Sequence, residues 1–227
     1  MLYIVATPIG NLEDITIRAL RVLKEADIIA SEDTRETMNL LRHYQISKKL
    51  ISYYRWNEME RSKEIIDLLL EGKKIALVCD RGTPGISDSA HILVKKAREA
   101  NIPVVPIPGP SALTSAISVS GFPVNEFGFF GFIPRKSGKK KKFFEALREY
   151  KPYIIFFESV HRIEKTLQTL STMFPEREMC ICRELTKKFE EVISAGTNEC
   201  NSYYKNKKIK GEFVIIMEGN KHVSQVF

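Results

Sequence analysis

The segment KIALVCDRGTPGISDSAHILVKKAREANIPVVPI, residues 74–107, decides the fold class. It opens with an apolar run (74–80), breaks at RGTPGIS, takes up a helical apolar spacing over 88–101 and returns to an apolar run at 102–107. Strand, crossover helix and strand follow from that order. The two runs are apolar throughout instead of alternating, as strands buried on both faces of a parallel sheet must be. The same rhythm extends toward the N-terminus. LYIVA (2–6), IIA (28–30) and LISYY (50–54) read as strands, and ITIRALRVLKEA (15–26), ETMNLLRHY (36–44) and residues 58–71 as helices. The chain therefore opens with an α/β domain built on a parallel sheet.

The rhythm changes after PGPSALTSAISVSGFP (108–123). FGFFGFI (127–133), YIIFFE (153–158), MCICREL (179–185), KFEEVI (188–193) and EFVIIME (212–218) read as strands. Helices are expected from the lysine run to about 149 and over 161–174, with one short polar stretch (197–206) that could be helical. Strands outnumber helices here, so some pair antiparallel, which predicts a mixed sheet and a second α/β domain. The expected division is 1–114 and 115–227, without a flexible linker.

The chain has 227 residues, 44% of them hydrophobic and 28% charged, which excludes disorder as its dominant state. Its net charge of +7 is unevenly placed. RKSGKKKK (135–142) holds six positive charges and YYKNKKIK (203–210) four, so the remainder carries −3. No uncharged apolar run approaches the roughly 18–20 residues of a membrane span. The N-terminus has no positive n-region, so it reads as a strand and not a signal peptide. The cysteines, Cys79, Cys180, Cys182 and Cys200, lack zinc-site spacing. They read as buried thiols of a cytoplasmic protein, with no disulfide or metal expected.

Ligands of open parallel sheets bind beyond the carboxyl ends of the strands. Four loops fall there: ATPIGN (6–11), SEDTR (31–35), DRGTPGIS (80–87) and PIPGPS (106–111). Three are rich in Gly and Pro, which fix tight backbone paths and expose main-chain groups. Any one of these could be an ordinary turn. Three at successive strand ends suggest a small molecule held mostly by backbone. No P-loop, G-x-G-x-x-G or G-x-S-x-G motif accompanies them, which disfavours P-loop phosphate transfer, a standard dinucleotide fold and a hydrolase elbow. SEDTR concentrates Glu32, Asp33 and Arg35, where Asp33 or Thr34 would cap the next helix. In ESVHR (158–162), Glu158 and Arg162 are better candidates for a site edge than the lone His161. The 135–142 run is of one sign and lies between aromatic segments, a pattern that fits polyphosphate as well as a solvated helix face.

VATPIGNLEDIT, SEDTR, DRGTPGISD, VVPIPGPSA, GFIPRKSGKKK, FFESVHRI, RELTKKFEEV and KGEFVIIMEG occur in this order across nearly the whole chain. As a set they closely resemble the small-subunit ribosomal RNA 2′-O-methyltransferase I family, a branch of the tetrapyrrole-methylase-like (class III) methyltransferases. The resemblance implies a homodimer whose subunits bind S-adenosylmethionine in a cleft between two α/β domains. It implies cofactor contacts at Pro8, Ile9, Gly82, Thr83, Ile86, Ser111, Ala112, Phe157, Leu185 and Gly211. It further implies methylation of the ribose 2′-hydroxyl of a cytidine in the decoding region of 16S rRNA, as free RNA or in the small ribosomal subunit. Two departures stand out. Arg81 replaces the Ala usual in D-A-G-T-P, and is expected to point toward the cofactor carboxylate or an RNA phosphate. YYRWNE (53–58) replaces a His-rich version.

Methyl transfer from a sulfonium is an in-line displacement, so alignment supplies much of the acceleration. A nearby base or cation would assist a poor ribose nucleophile. Glu32, Arg35, Glu158 and Arg162 are the catalytic candidates, with Glu158 the first choice as proton acceptor. Arg135, Lys136, Lys139, Lys140, Lys141 and Lys142 are expected to grip RNA phosphates. Two rivals stand beside this reading: a tetrapyrrole methylase, which gives no reason for six clustered cations, and a non-catalytic ribosome-assembly RNA-binding factor.

Overall fold

The computed structural model describes residues 1–205, 207 and 210–220. The chain divides into two compact units, Met1–Ser111 and a second beginning at Ala112. Part of the second basic run (206, 208 and 209) lies outside the described residues.

The first unit holds β1 (Leu2–Val5), β2 (Ile28–Ser31), β3 (Lys49–Ser52), β4 (Ile75–Val78) and β5 (Val104–Ile107), all parallel, in the order β3-β2-β4-β1-β5. Between them run α1 (Ile17–Glu25), α2 (Thr34–His43), α3 (Glu58–Leu70) and α4 (Ala90–Glu99). The sheet is covered on both faces. Val5, Ile29, Ala76 and Val78 pack with Ala19, Val22, Leu23 and Leu41 of α1 and α2. The alternate residues Leu2, Ile28, Ala30, Ile75 and Leu77 pack with Ile65, Leu69, Leu93 and Ala97 of α3 and α4. This explains the unbroken apolar strands: in β2 and β4 every position is buried, and exposure appears only on the edge strands, at Lys49 and Pro106. Local sequence sets the helix starts: the Thr16 hydroxyl accepts from the Ala19 N–H at 3.0 Å, and Asp33 caps α2 by accepting from the Arg35 N–H at 2.8 Å.

The chain leaves β1 toward β2 but leaves β4 toward β5. The two central strands thus form the point where the direction of the connections reverses, and the loops after them meet beyond their carboxyl ends.

The second unit holds β6 (Phe127–Phe132), β7 (Tyr153–Ser159), β8 (Glu178–Arg183), β9 (Glu191–Gly196) and β10 (Glu212–Met217), in the order β6-β7-β10-β8-β9. β6 and β7 are parallel and the other pairs antiparallel, giving the mixed sheet. Ile154, Phe156, Met179, Ile181, Phe213 and Ile215 pack with Phe144, Leu167, Leu170, Phe174 and Tyr204 from α6 (Ser137–Ala146), α7 (Ile163–Met173) and α8 (Thr197–Tyr204). Truncating one such buried ring would cost about 3–5 kcal/mol. Cys180 and Cys182 point together on the other face, their sulfurs 3.8 Å apart, and all four cysteines are buried thiols.

Two features depart from the sequence reading. ALTSAISV forms α5 (Ala112–Val119), a helix absent from the periodicity reading because its residues, apart from Leu113, are small or β-branched and no charge marks its solvent face. It lies against β10, with Leu113 and Ala116 buried. The strand expected at KFEEVI begins only at Glu191, because 186–190 form a turn in which the Thr186 N–H donates to Glu190 Oε2. Among the described residues, no helix is long and apolar enough to cross a membrane.

Candidate active site

In the first unit, the loops after β1, β4 and β5 lock together through main chain. Thr7 and Gly82 exchange N–H···O=C bonds of 2.9 and 3.0 Å. The Thr7 hydroxyl, buried, donates to the Cys79 carbonyl at 3.1 Å, and the Thr83 hydroxyl to the Pro110 carbonyl at 3.1 Å. Gly82 has φ +81°, and a Cβ there would lie 3.3 Å from Ile9 Cγ2 and 3.9 Å from Ser111 Cα. Only glycine suits both the backbone conformation and this close approach. Pro8, Ile9, Gly82, Thr83 and Ser111 are thereby gathered at one edge. Ile86 follows in the same loop, its N–H reaching the Thr83 carbonyl at 3.4 Å.

Two residues that the motif reading did not single out hold this edge. Asp80 accepts the Asp33 N–H at 2.8 Å, tying the loop after β2 to the loop after β4. Asp88 accepts the Gly85 N–H at 2.8 Å and the Ala90 N–H at 2.8 Å, closing the Gly-rich loop onto α4. A carboxylate just before a helix was the available signal for Asp88. The Ser31 hydroxyl, at the end of β2, is buried without a hydrogen-bond partner. A cradle that a Cβ would fill, with an unpaired buried hydroxyl at the same strand ends, fits a small ligand held largely by main chain.

Acidic groups crowd here. Glu32 lines a small recess with Tyr53, Cys79, Pro84 and Asp88. Burial, and then the charges of Asp80, Asp88 and Asp33, raise its pKa above the usual carboxylate value. Asp33 is held down to about 2 by its hydrogen bonds from Arg35. Arg35 folds back on Asp33 in a 2.7 Å ion pair while staying 87% exposed. Arg81 is exposed.

In the second unit, the strand register brings several predicted positions to one edge. Phe132 pairs with Phe157, Glu212 with Ser159 and Phe213 with Arg183. The ends of β6, β7 and β8 and the start of β10 therefore coincide, and with them Phe157, Glu158, Leu185 and Gly211. Leu185 lies between Glu184 (φ +52°) and Thr186 (φ +66°), two strained backbone positions of the kind that cluster at sites. Gly211 has φ +112°, and a Cβ there would run into the Glu184 side chain. Ala112 starts α5 and is half-buried.

Glu158 is enclosed, and both its oxygens are engaged. Oε1 accepts from Arg162 at 2.6 Å and from the Ser159 N–H at 2.8 Å, and Oε2 from the Thr166 hydroxyl at 2.7 Å. Arg162 also donates to the Ile133 carbonyl at 3.0 Å and the Ser159 hydroxyl at 3.2 Å. This geometry makes Glu158 the anchor of Arg162 and leaves it no open lone pair facing solvent.

Lys140 corrects the sequence reading of the cationic run. Its ammonium is turned inward and donates to the Thr166 hydroxyl at 2.8 Å, and burial lowers its pKa. Helical periodicity is the reason, since Lys140 and Phe144 share the inner face of α6. Arg135, Lys136, Lys139, Lys141 and Lys142 are exposed. They surround the start of α6, whose first N–H groups add positive potential.

The family profile for tetrapyrrole (corrin/porphyrin) methylases matches residues 1–199. The chain is 47% identical over 219 residues to the ribosomal RNA small subunit methyltransferase I of Halalkalibacterium halodurans, spanning 96% of this chain and 76% of that protein. It is 46% identical to the protein of the same name from Thermotoga maritima, over 97% and 99% of the two chains. Among solved structures it is similar to diphthine synthase, with a TM-score of 0.75 at 16% identity over 96% of this chain and 89% of that one. It is similar also to a cobalt precorrin-4 methyltransferase, with a TM-score of 0.71 at 15% identity over 96% and 94%. At such identities the structural likeness speaks to the fold alone.

Proposed function

The chain belongs to the ribosomal RNA small subunit methyltransferase I family, within the tetrapyrrole methylases, and from that premise we propose that it methylates the ribose 2′-hydroxyl of a cytidine in 16S rRNA. The observation that carries this reading is the 46% identity to the Thermotoga maritima protein over almost the full length of both chains.

S-adenosylmethionine, when bound, supplies a methyl on a sulfonium, and the products are S-adenosylhomocysteine, the 2′-O-methyl ribose and a proton. Pro8, Ile9, Gly82, Thr83, Ile86 and Ser111 would hold it in the first unit, and Ala112, Phe157, Leu185 and Gly211 in the second. The Thr7–Gly82 bonds and the Thr83–Pro110 bond keep the loops fixed, so little ordering is left for the moment of binding. Arg162, braced by Glu158, presents a guanidinium suited to a phosphate or to developing charge on the nucleophile. Glu32, with its raised pKa, and Arg35 stand at the other group of loops as further candidates for assisting the hydroxyl. Arg135, Lys136, Lys139, Lys141 and Lys142 would hold RNA phosphates, and Arg81 a phosphate or the cofactor carboxylate. The working species is a cytoplasmic homodimer in this reading.

The test is methyl incorporation from labelled S-adenosylmethionine into small-subunit particles from a strain lacking the gene, followed by nucleoside analysis. Label in 2′-O-methylcytidine is the expected result. Label in a tetrapyrrole alone, or RNA binding without transfer, overturns it.

A further inference from the structure

Trp56 is the chain's sole tryptophan and is 87% exposed. It lies in YYRWNE, the turn that leaves β3 at the carboxyl edge of the first sheet, beside β2, whose end is followed by Glu32. The turn is held firmly. Tyr53 is buried, its N–H donates to the Ser31 carbonyl at 2.7 Å, and its hydroxyl lies 3.2 Å from Ser62 Oγ. Asn57 accepts the Tyr54 N–H at 2.8 Å and donates to the Ser52 carbonyl at 3.1 Å. The fixed turn therefore displays the indole with Tyr54, 40% exposed, and Arg55, whose guanidinium carbon lies 6.0 Å from the Trp56 ring centroid.

An exposed indole with a second ring and a guanidinium is the equipment for stacking nucleobases, which every base accepts through its π-face. We propose that Trp56, with Tyr54 and Arg55, forms a stacking platform for an unpaired base of the RNA substrate. This rests on the rRNA reading above. The platform holds an unpaired base while the cationic α6 region holds phosphates, so the two contribute separately to substrate affinity.

Because Trp56 is the only tryptophan, its emission reports the contact directly. Titrating the full chain with a single-stranded RNA oligonucleotide should quench it saturably, and the same strand in a duplex should quench it less. Trp56→Ala should raise KM for small-subunit particles about tenfold, about 1.4 kcal/mol, with kcat and S-adenosylmethionine affinity unchanged, and Trp56→Phe should recover most of the loss. Emission unchanged at saturating RNA overturns the platform. So does an unchanged KM in Trp56→Ala, or emission that shifts with protein concentration alone, which would mean a second copy covers the ring. A wild-type protein that labels no RNA defeats the functional reading instead, and is distinguished by that control.

Discussion

Replacing Arg162 by Met should expose how the second unit holds its charged edge. Glu158 has a side chain that is 0% exposed, with Arg162 at 2.6 Å as its contacting cation. Removing one partner of a buried pair costs about 3–5 kcal/mol, because a charge is left in a poorly solvated place. Here the Thr166 hydroxyl and the Ser159 N–H still serve the carboxylate, and Lys140 stands one hydroxyl away, so the lower end applies, about 3 kcal/mol. For a chain of this length that is a fall in thermal midpoint of about 6–12 °C. Glu158→Gln alone should cost about 2 kcal/mol, since Arg162 keeps the Ile133 carbonyl and is partly in water. The double variant leaves only the Lys140 ammonium without the carboxylate and should cost about 2 kcal/mol in total, a coupling of about 3 kcal/mol. Circular dichroism melts of the wild type and three variants supply the cycle. Additive effects, or a loss below about 1 kcal/mol for Arg162→Met, would refute the bracing role assigned to Glu158.

Reversing Lys139, Lys141 and Lys142 to Glu should weaken RNA binding and flatten its log–log salt slope by about 2 on single strands, with cofactor affinity unchanged. Lys140→Met should leave RNA affinity as it was while lowering the thermal midpoint, and filter binding with thermal melts separates the two classes. Gly82→Ala forces φ +81° on a residue with a Cβ 3.3 Å from Ile9, and should cost about 1–3 kcal/mol. It should also weaken S-adenosylmethionine binding at least tenfold by calorimetry, about 1.4 kcal/mol. Glu32 has a raised pKa, so the folded state favours its protonated form. The stability this contributes is present below about 4.5 and is lost as pH rises through the folded value. Glu32→Gln should therefore match wild type near pH 4 and be the more stable at pH 7, by roughly 0.5 kcal/mol after solvent screening, read from melts across that range.

Much was legible in the chain itself because the signals were local. Unbroken apolar runs between helical spacings required a parallel sheet buried on both faces, and the excess of strands after residue 123 required antiparallel pairing in a second one. A cap at Asp33 or Thr34 was equally readable, since a cap acts over two or three residues, and Asp33 is the one that serves. The ordered motifs carried the family. What the tertiary structure decided were relations between residues distant in sequence. Only strand register shows that Phe157, Leu185 and Gly211 share an edge, and only the folded loops show Gly82 against Ile9 and Ser111. Helix α5 was hidden because its stabilisation comes from packing on β10, while its mostly small and β-branched residues include no charge to mark a solvent face. The +7 could be located by sequence, but which lysines meet solvent could not. Lys140 stands among like neighbours, and the pitch of α6 against a sheet carrying Glu158 turned that one inward.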